Sequence, residues 1–136
     1  MQPSSSVQQR VATMLRAADR DMEAANSLMQ NSPHLYESIG FSCQQAVEKY
    51  IKAVLIASGL PAPFIHVLVK LLLPLTQAGI VVLSTAEMDN AAALQDFAVT
   101  WRYETDDAPS FISADLVAMA DRFRTKLRPL AQAFLI

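Results

Sequence analysis

Four polar residues in the stretch Phe41 to Leu60, FSCQQAVEKYIKAVLIASGL, have types and spacings that suit chemistry. Glu48 and Lys52 are four apart with Glu first, the favourable order for an ion pair on a helix. Gln45, Lys49 and Lys52 share a side at helical spacing. The chemistry on offer is anion recognition. Arg102 has the rigid fork of donors that suits a phosphate, to which Lys49 and Lys52 would add positive charge. Tyr103 and Trp101 offer faces on which a base stacks. His66 can move protons near neutrality.

Each assignment has a plainer counterpart. The polar set of the central stretch reads equally as a solvated face with one surface ion pair. Arg102 pairs as readily with Glu48 or with an acid of the 104–107 loop, Trp101 fits the core period, and His66 suits capping or packing at a helix start. Glu104, Asp106 and Asp107 have oxygen ligands for a divalent ion, but no partner His or regular spacing, so a solvated loop is expected. Arg122, Arg124, Lys126 and Arg128 form a basic cluster able to touch RNA phosphates or an acidic partner. Asp115 and Asp121 lie close by, which favours a structural role.

Helices must position these groups. Tyr36, Ile39, Cys43, Val47, Tyr50 and Val54, with Ile51 and Leu55 beside them, step by three or four, the period of a buried helical face. Ser32 as cap and Pro33 at the first position start this helix, and Ser58-Gly59 ends it before Pro61 and Pro63. Upstream, Val7, Val11, Met14, Ala18, Met22, Ala25 and Met29 predict a first helix of about six turns, with Ser6 and Gln9 as a capping box. Its other side carries Arg10, Arg16, Asp19, Arg20, Asp21 and Glu23, a mixed-charge solvent face. A third segment begins near Ile65, with His66, Leu68, Leu71, Leu72 and Leu75, and ends at Gly79; Pro74 should kink or split it. Ile80 to Leu83 reads as a buried connector rather than a strand. Ser84 and Glu87 form a capping box for a fourth helix whose face is Met88, Ala91, Leu94, Ala98 and Trp101. Ser110 or Ser113 caps a fifth, with Leu116, Ala120, Phe123, Leu127, Leu130 and Phe134 inward and Pro129 bending its last turns.

The expected fold is therefore all-α: a single-domain, up-and-down bundle of about five helices spanning residues 1–136, with 1–6 a flexible start. With 136 residues, 52% hydrophobic and 18% charged, the chain can bury one core. A net charge of −2 creates no overall field for nucleic acid or anionic lipid. The single Cys43 excludes an internal disulfide and fits a reducing compartment. It sits on the apolar face as an inert thiol. The polar opening argues against a secretory signal, and Lys70, Pro74, Thr76 and Gln77 break the greasiest run, so no membrane span is expected.

Gln44-Gln45-Ala46-Val47-Glu48-Lys49-Tyr50-Ile51-Lys52-Ala53 closely resembles the signature of HEPN domains (higher eukaryotes and prokaryotes nucleotide-binding), whose helices carry a pattern of the form QA-EK-LKA. Ala18-Asp19 upstream, His66 and Leu71-Leu72 downstream, and Trp101-Arg102-Tyr103 later match the family in the right order. The resemblance covers nearly the whole chain. It implies an up-and-down bundle that forms homodimers and works with a small nucleotidyltransferase, as toxin and antitoxin or as a two-part nucleotide-using system. Some members are ribonucleases, using an Arg followed four to six residues later by a His across the dimer. This sequence departs from that pattern: both histidines, His34 and His66, precede Arg102, and no other Arg has a His at that distance. The Tyr that some partner enzymes modify lies beyond that missing His, so Tyr103 is not its equivalent.

The resemblance thus implies a cytoplasmic, dimeric binding module rather than an enzyme. Its nucleotide- or phosphate-binding residues would be Gln45, Glu48, Lys49, Lys52, His66, Arg102 and Tyr103, with no catalytic residue, metal ligand or cofactor. The partners would be a second copy, a nucleotidyltransferase, and a nucleotide or RNA. Two alternatives stand beside it: a variant ribonuclease toxin recruiting His66 or Tyr103, and an adaptor bundle that pairs through an apolar face.

Overall fold

The structure is a computed structural model that describes residues 5–98 and 112–136. Its described residues form five α-helices and no strand: α1 (Ser5–Asn31), α2 (Tyr36–Ala57), α3 (Leu68–Gln77), α4 (Thr85–Gln95) and α5 (Ser113–Phe134), with a 3-10 turn, Asp96–Ala98, after α4. The long helices α1, α2 and α5 pack together, and α3 and α4 close one side. Only α2 touches every other described helix. That placement explains its composition, because a helix surrounded by others must be apolar around most of its girth. None of the described helices is long and apolar enough to cross a membrane.

The buried faces follow the sequence periods closely. Val11, Leu15, Ala18, Met22 and Ala25 of α1 meet Ile39, Cys43, Val47, Tyr50, Ile51, Val54 and Leu55 of α2. Leu116, Ala120, Phe123 and Leu127 of α5 complete this core. After Pro129 the buried position is Ala131, and Leu130, expected inward, is exposed; α5 nonetheless runs on unbroken to Phe134. In α3 the four leucines at 68, 71, 72 and 75 are all buried. Pro74 does not split α3, which ends three residues later at Gln77. Gly79 then adopts φ +71°, a conformation open to glycine and costly for other residues. In the connector that follows, Val81 enters the core and Val82 faces out.

Several helix ends differ from expectation. Ser5 and Ser6 belong to α1, so the helix begins within the expected flexible start and before the expected Ser6 cap; residues 1–4 lie outside the described residues. Ser32 does not cap α2. Its N–H donates to Leu28 O at 2.7 Å, and its carbonyl accepts from Leu35 at 3.0 Å. Residues 32–35 are used to reverse the chain, which postpones α2 to Tyr36. Ser113 does not cap α5 either: it lies inside the first turn, and its Oγ donates to Pro33 O at 2.8 Å. That bond ties the α1–α2 turn to the start of α5. Asp115 instead accepts from the N–H of Ile112, the residue before α5. At α4 the expected capping box is complete, with Glu87 N–H to Ser84 Oγ at 3.1 Å and Ser84 N–H to Glu87 Oε1 at 2.8 Å. The α4 helix stops at Gln95, short of the Trp101-Arg102-Tyr103 closure expected from the sequence. Those three residues lie outside the described residues.

The expected solvent face of α1 also carries part of the frame. Arg128 of α5 grips Asp19 with two donors, Nε to Oδ1 at 3.0 Å and Nη2 to Oδ2 at 2.8 Å. The Tyr50 hydroxyl reaches the same carboxylate at 2.6 Å. Arg128 chiefly holds the Asp19 carboxyl below its ordinary range. Burial, reinforced by Asp19, pushes the Tyr50 phenol up. One carboxylate thus joins α1, α2 and α5. Tyr50→Phe keeps the buried ring and deletes one bond to an acid that Arg128 still satisfies. Its expected cost is about 1 kcal/mol, read as a lower urea midpoint at unchanged slope.

Candidate functional site

The end of α2 determines how the chain returns to Glu48. Gly59 adopts φ +74°, and the Leu60 N–H closes onto Leu55 O at 2.9 Å, a glycine-stopped helix end. Pro61 and Pro63 deny the next residues a helical hydrogen-bonding pattern. The segment 60–67 therefore travels back beside α2, while Leu60, Ala62 and Ile65 pack against the core. At its end His66 meets Glu48, eighteen residues earlier in the chain. His66 does not start or cap α3, which begins at Leu68. Gln95 of α4 serves that helix end, accepting from the Val69 N–H at 3.1 Å.

Glu48 is the centre of a polar network inside the bundle. It is 5% exposed, and Gln44, one turn before it, is fully buried. Glu48 Oε1 accepts from Gln44 Nε2 at 2.9 Å and from His66 Nδ1 at 2.8 Å. Oε2 accepts from Lys52 Nζ at 3.0 Å. Gln45 Nε2 donates to Gln44 Oε1 at 2.7 Å and extends the chain of bonds outward. Burial works to raise the Glu48 pKa, but the hydrogen bonds from His66, Gln44 and Lys52 outweigh it and leave the carboxyl below its ordinary value. An ionised carboxylate only accepts, so the proton between Glu48 and His66 resides on His66 Nδ1. The ring is thereby oriented with Nε2 turned away from Glu48. The His66 side chain is 59% exposed and that of Lys52 only 12%.

The solvated-face reading of this polar set is therefore corrected. The favourable Glu48–Lys52 pair forms as expected, but it is buried because the returning segment covers α2 there. Lys49 leaves the network and pairs with Asp21 of α1. Gln45, Glu48, Lys52 and His66 come together; Arg102 and Tyr103 lie outside the described residues, as do Glu104, Asp106 and Asp107. The described partners of Glu48 are Gln44, Lys52 and His66. Gln44, absent from the residues expected at the site, is part of it. Its signal was present: an amide four residues before a carboxylate on one helix, between two apolar-face positions.

The remaining charged groups mostly hold helices together. Lys126 pairs with the capping Glu87 at 2.7 Å, Arg124 with Asp121 at 2.7 Å and Arg128 with Asp19. The basic cluster of α5 is thus largely spent on structural pairs. Burial pushes the Cys43 thiol up to about 12, so it is not a nucleophile at neutral pH. No group of three or more His, Cys, Asp or Glu able to hold a metal occurs among the described residues.

A family model described as the HEPN domain matches residues 11–127. A comparison with curated proteins finds no match. Among solved structures, TT1696 from Thermus thermophilus is similar over 93% of each chain, with a TM-score of 0.60 and 23% sequence identity. That likeness is one of fold.

Proposed function

The chain belongs to the HEPN domain family, and from that premise we propose that it is a dimeric module that contacts a nucleotide or RNA and works with a small nucleotidyltransferase. One observation carries the reading. The buried Glu48 carboxylate fixes a cation, Lys52, and an oriented, half-exposed imidazole, His66, on its two oxygens. A phosphate oxygen can accept from the Lys52 ammonium, and from His66 Nε2 when the ring carries its second proton, while the ionised Glu48 keeps both side chains aimed. Gln45 at the outer end of the network adds an amide. Arg102 and Tyr103 are the further members proposed from the family pattern.

The test is a thermal shift with ATP, GTP, their monophosphates and short RNA, on wild type and on Lys52→Gln, His66→Ala and Arg102→Ala. A ligand at 100 times its dissociation constant should add about 2.7 kcal/mol, a rise of several degrees at this size. The expected shift is largely lost in Lys52→Gln. A shift with none of these ligands, or one that survives all three substitutions, overturns the site. Co-purification with a nucleotidyltransferase encoded nearby tests the partner, and sedimentation at micromolar concentration tests the dimer.

A second reading, a ribonuclease toxin of variant site, is favoured by one specific feature: a carboxylate-held histidine with a free-facing Nε2 is built to move a proton. Single-stranded and structured RNA left intact by the purified protein, with and without divalent metal, removes it.

A further inference from the structure

The returning segment that delivers His66 carries a feature the network does not use. Phe64 is fully exposed, at 101%, the most exposed large apolar side chain among the described residues. Its neighbours Ala62 and Ile65 pack against the core, so the segment had an apolar surface available and Phe64 does not take it. The backbone explains how. Ile65 N–H donates to Pro63 O at 2.8 Å, a three-residue turn with Phe64 at its apex. Pro61 and Pro63 lock their own φ angles and stiffen the approach. His66, two residues on, is pinned through its ring to Glu48. An aromatic face is thus held out on a braced turn, anchored at both ends.

Two trans peptide steps separate Phe64 from His66, so their Cα atoms are at most about 7.6 Å apart. The Lys52 ammonium and the His66 Nδ1 share one carboxylate. The exposed ring is therefore held within two residues of His66, one of the two side chains of the proposed phosphate seat. We propose that Phe64 is the base-stacking platform of this site, so that its ligand is an unpaired nucleobase joined to phosphate, as a free nucleotide or as single-stranded RNA, rather than a bare phosphate or duplex RNA. The inference rests on the nucleotide or RNA reading above and adds its specificity. Stacking on an aromatic face tolerates any base, and a base paired within a duplex cannot reach such a face.

Calorimetry on the full chain with AMP, ribose 5-phosphate and inorganic phosphate, and anisotropy with fluorescein-labelled single-stranded oligoadenylate and duplex RNA, test it. AMP or the single strand should bind wild type, and Phe64→Ala should weaken that binding by about 5- to 100-fold, the contribution of one stacked base. Phe64→Tyr should retain it. Ribose 5-phosphate should bind weakly, and equally to wild type and Phe64→Ala. Preference for AMP over the oligomer assigns a free nucleotide; the reverse assigns single-stranded RNA. Phe64 lies outside the core, so Phe64→Ala should melt with wild type. Undiminished binding by Phe64→Ala, with loss in His66→Ala, overturns the inference and leaves the phosphate site standing. Equal affinity for ribose 5-phosphate and AMP, or for duplex and single strand, also overturns it. A change of oligomeric state on Phe64→Ala, with ligand affinity unaltered, would assign the ring to a contact between copies instead. No binding of AMP or either RNA by wild type overturns both readings.

Discussion

Glu48→Ala should lower the melting temperature by about 10 °C, the equivalent of roughly 3 kcal/mol for a chain of this length. The effect does not come from losing a favourable contact alone. Removing the carboxylate leaves the fully buried Gln44 amide without its acceptor and the 12%-exposed Lys52 side chain without its counter-ion. Breaking a buried pair from one side costs about 3–5 kcal/mol. The lower end applies because His66 is 59% exposed and can rehydrate. The same carboxylate has a pH signature. Its folded pKa lies below its ordinary value of 4.5, so its stabilisation is fully present above that value and is lost as pH falls through the folded pKa. Asp19, lowered from 3.8, acts in the same direction. Urea midpoints measured from neutral to acidic pH should fall on the acid side, with a shallower fall in Glu48→Gln. A melting temperature for Glu48→Ala within a degree or two of wild type would mean that the network carries no structural weight.

Gly40→Ala should destabilise by about 1 kcal/mol, against the usual direction, as overpacking outweighs the gain in helix propensity. In a helix interior, alanine is favoured over glycine by about 1 kcal/mol. Here the added Cβ would enter the space of the Phe97 ring, meeting its Cγ, Cδ1 and Cε1 atoms. The clash involves the root of the ring as well as its edge, so a small rotation does not relieve it. Tyr36 holds the same ring edge-on, with centroids 5.4 Å apart and planes at 63°. The ring and its 3-10 turn must therefore move off α2, an overpacking cost of about 1–3 kcal/mol. The decisive measurement is a double-mutant cycle. In a Phe97→Ala background, Gly40→Ala should become neutral or stabilising, giving a coupling energy well above the error of additivity. A higher melting temperature for Gly40→Ala alone would contradict this packing.

Much of the bundle was readable in advance because helix burial has a period. The apolar steps of α1, α2 and α5 predicted faces that the structure buries, and Ser84 with Glu87 predicted a cap that both of its bonds complete. Ser32 and Ser113 misled for a local reason. Each has the right type for a cap, but the backbone of Ser32 is bonded within the reversing turn, ahead of an α2 that starts at Tyr36, and the Ser113 hydroxyl bonds the Pro33 carbonyl, eighty residues away in the chain. A capping signal states what a side chain can do, and the fold decides which of the competing bonds it makes.

The candidate site divides along the same line. Residue types and intervals within α2 were enough to pair Glu48 with Lys52, since four residues on a helix bring them together wherever the helix lies. They were not enough to distinguish a wet ion pair from a buried one. That depended on Gly59 turning the chain back and on the proline-braced segment laying His66 against Glu48. Lys49 was drawn instead to Asp21, and Asp19 from a supposed solvent face became the acceptor for Tyr50 and Arg128. Periodicity and family signature are properties of the chain itself, so the all-helical HEPN fold could be read from residue order. Burial and cross-helix partners depend on which helices become neighbours. For that reason the orientation of His66, the depth of Glu48 and the bare face of Phe64 were decided only when the chain was packed.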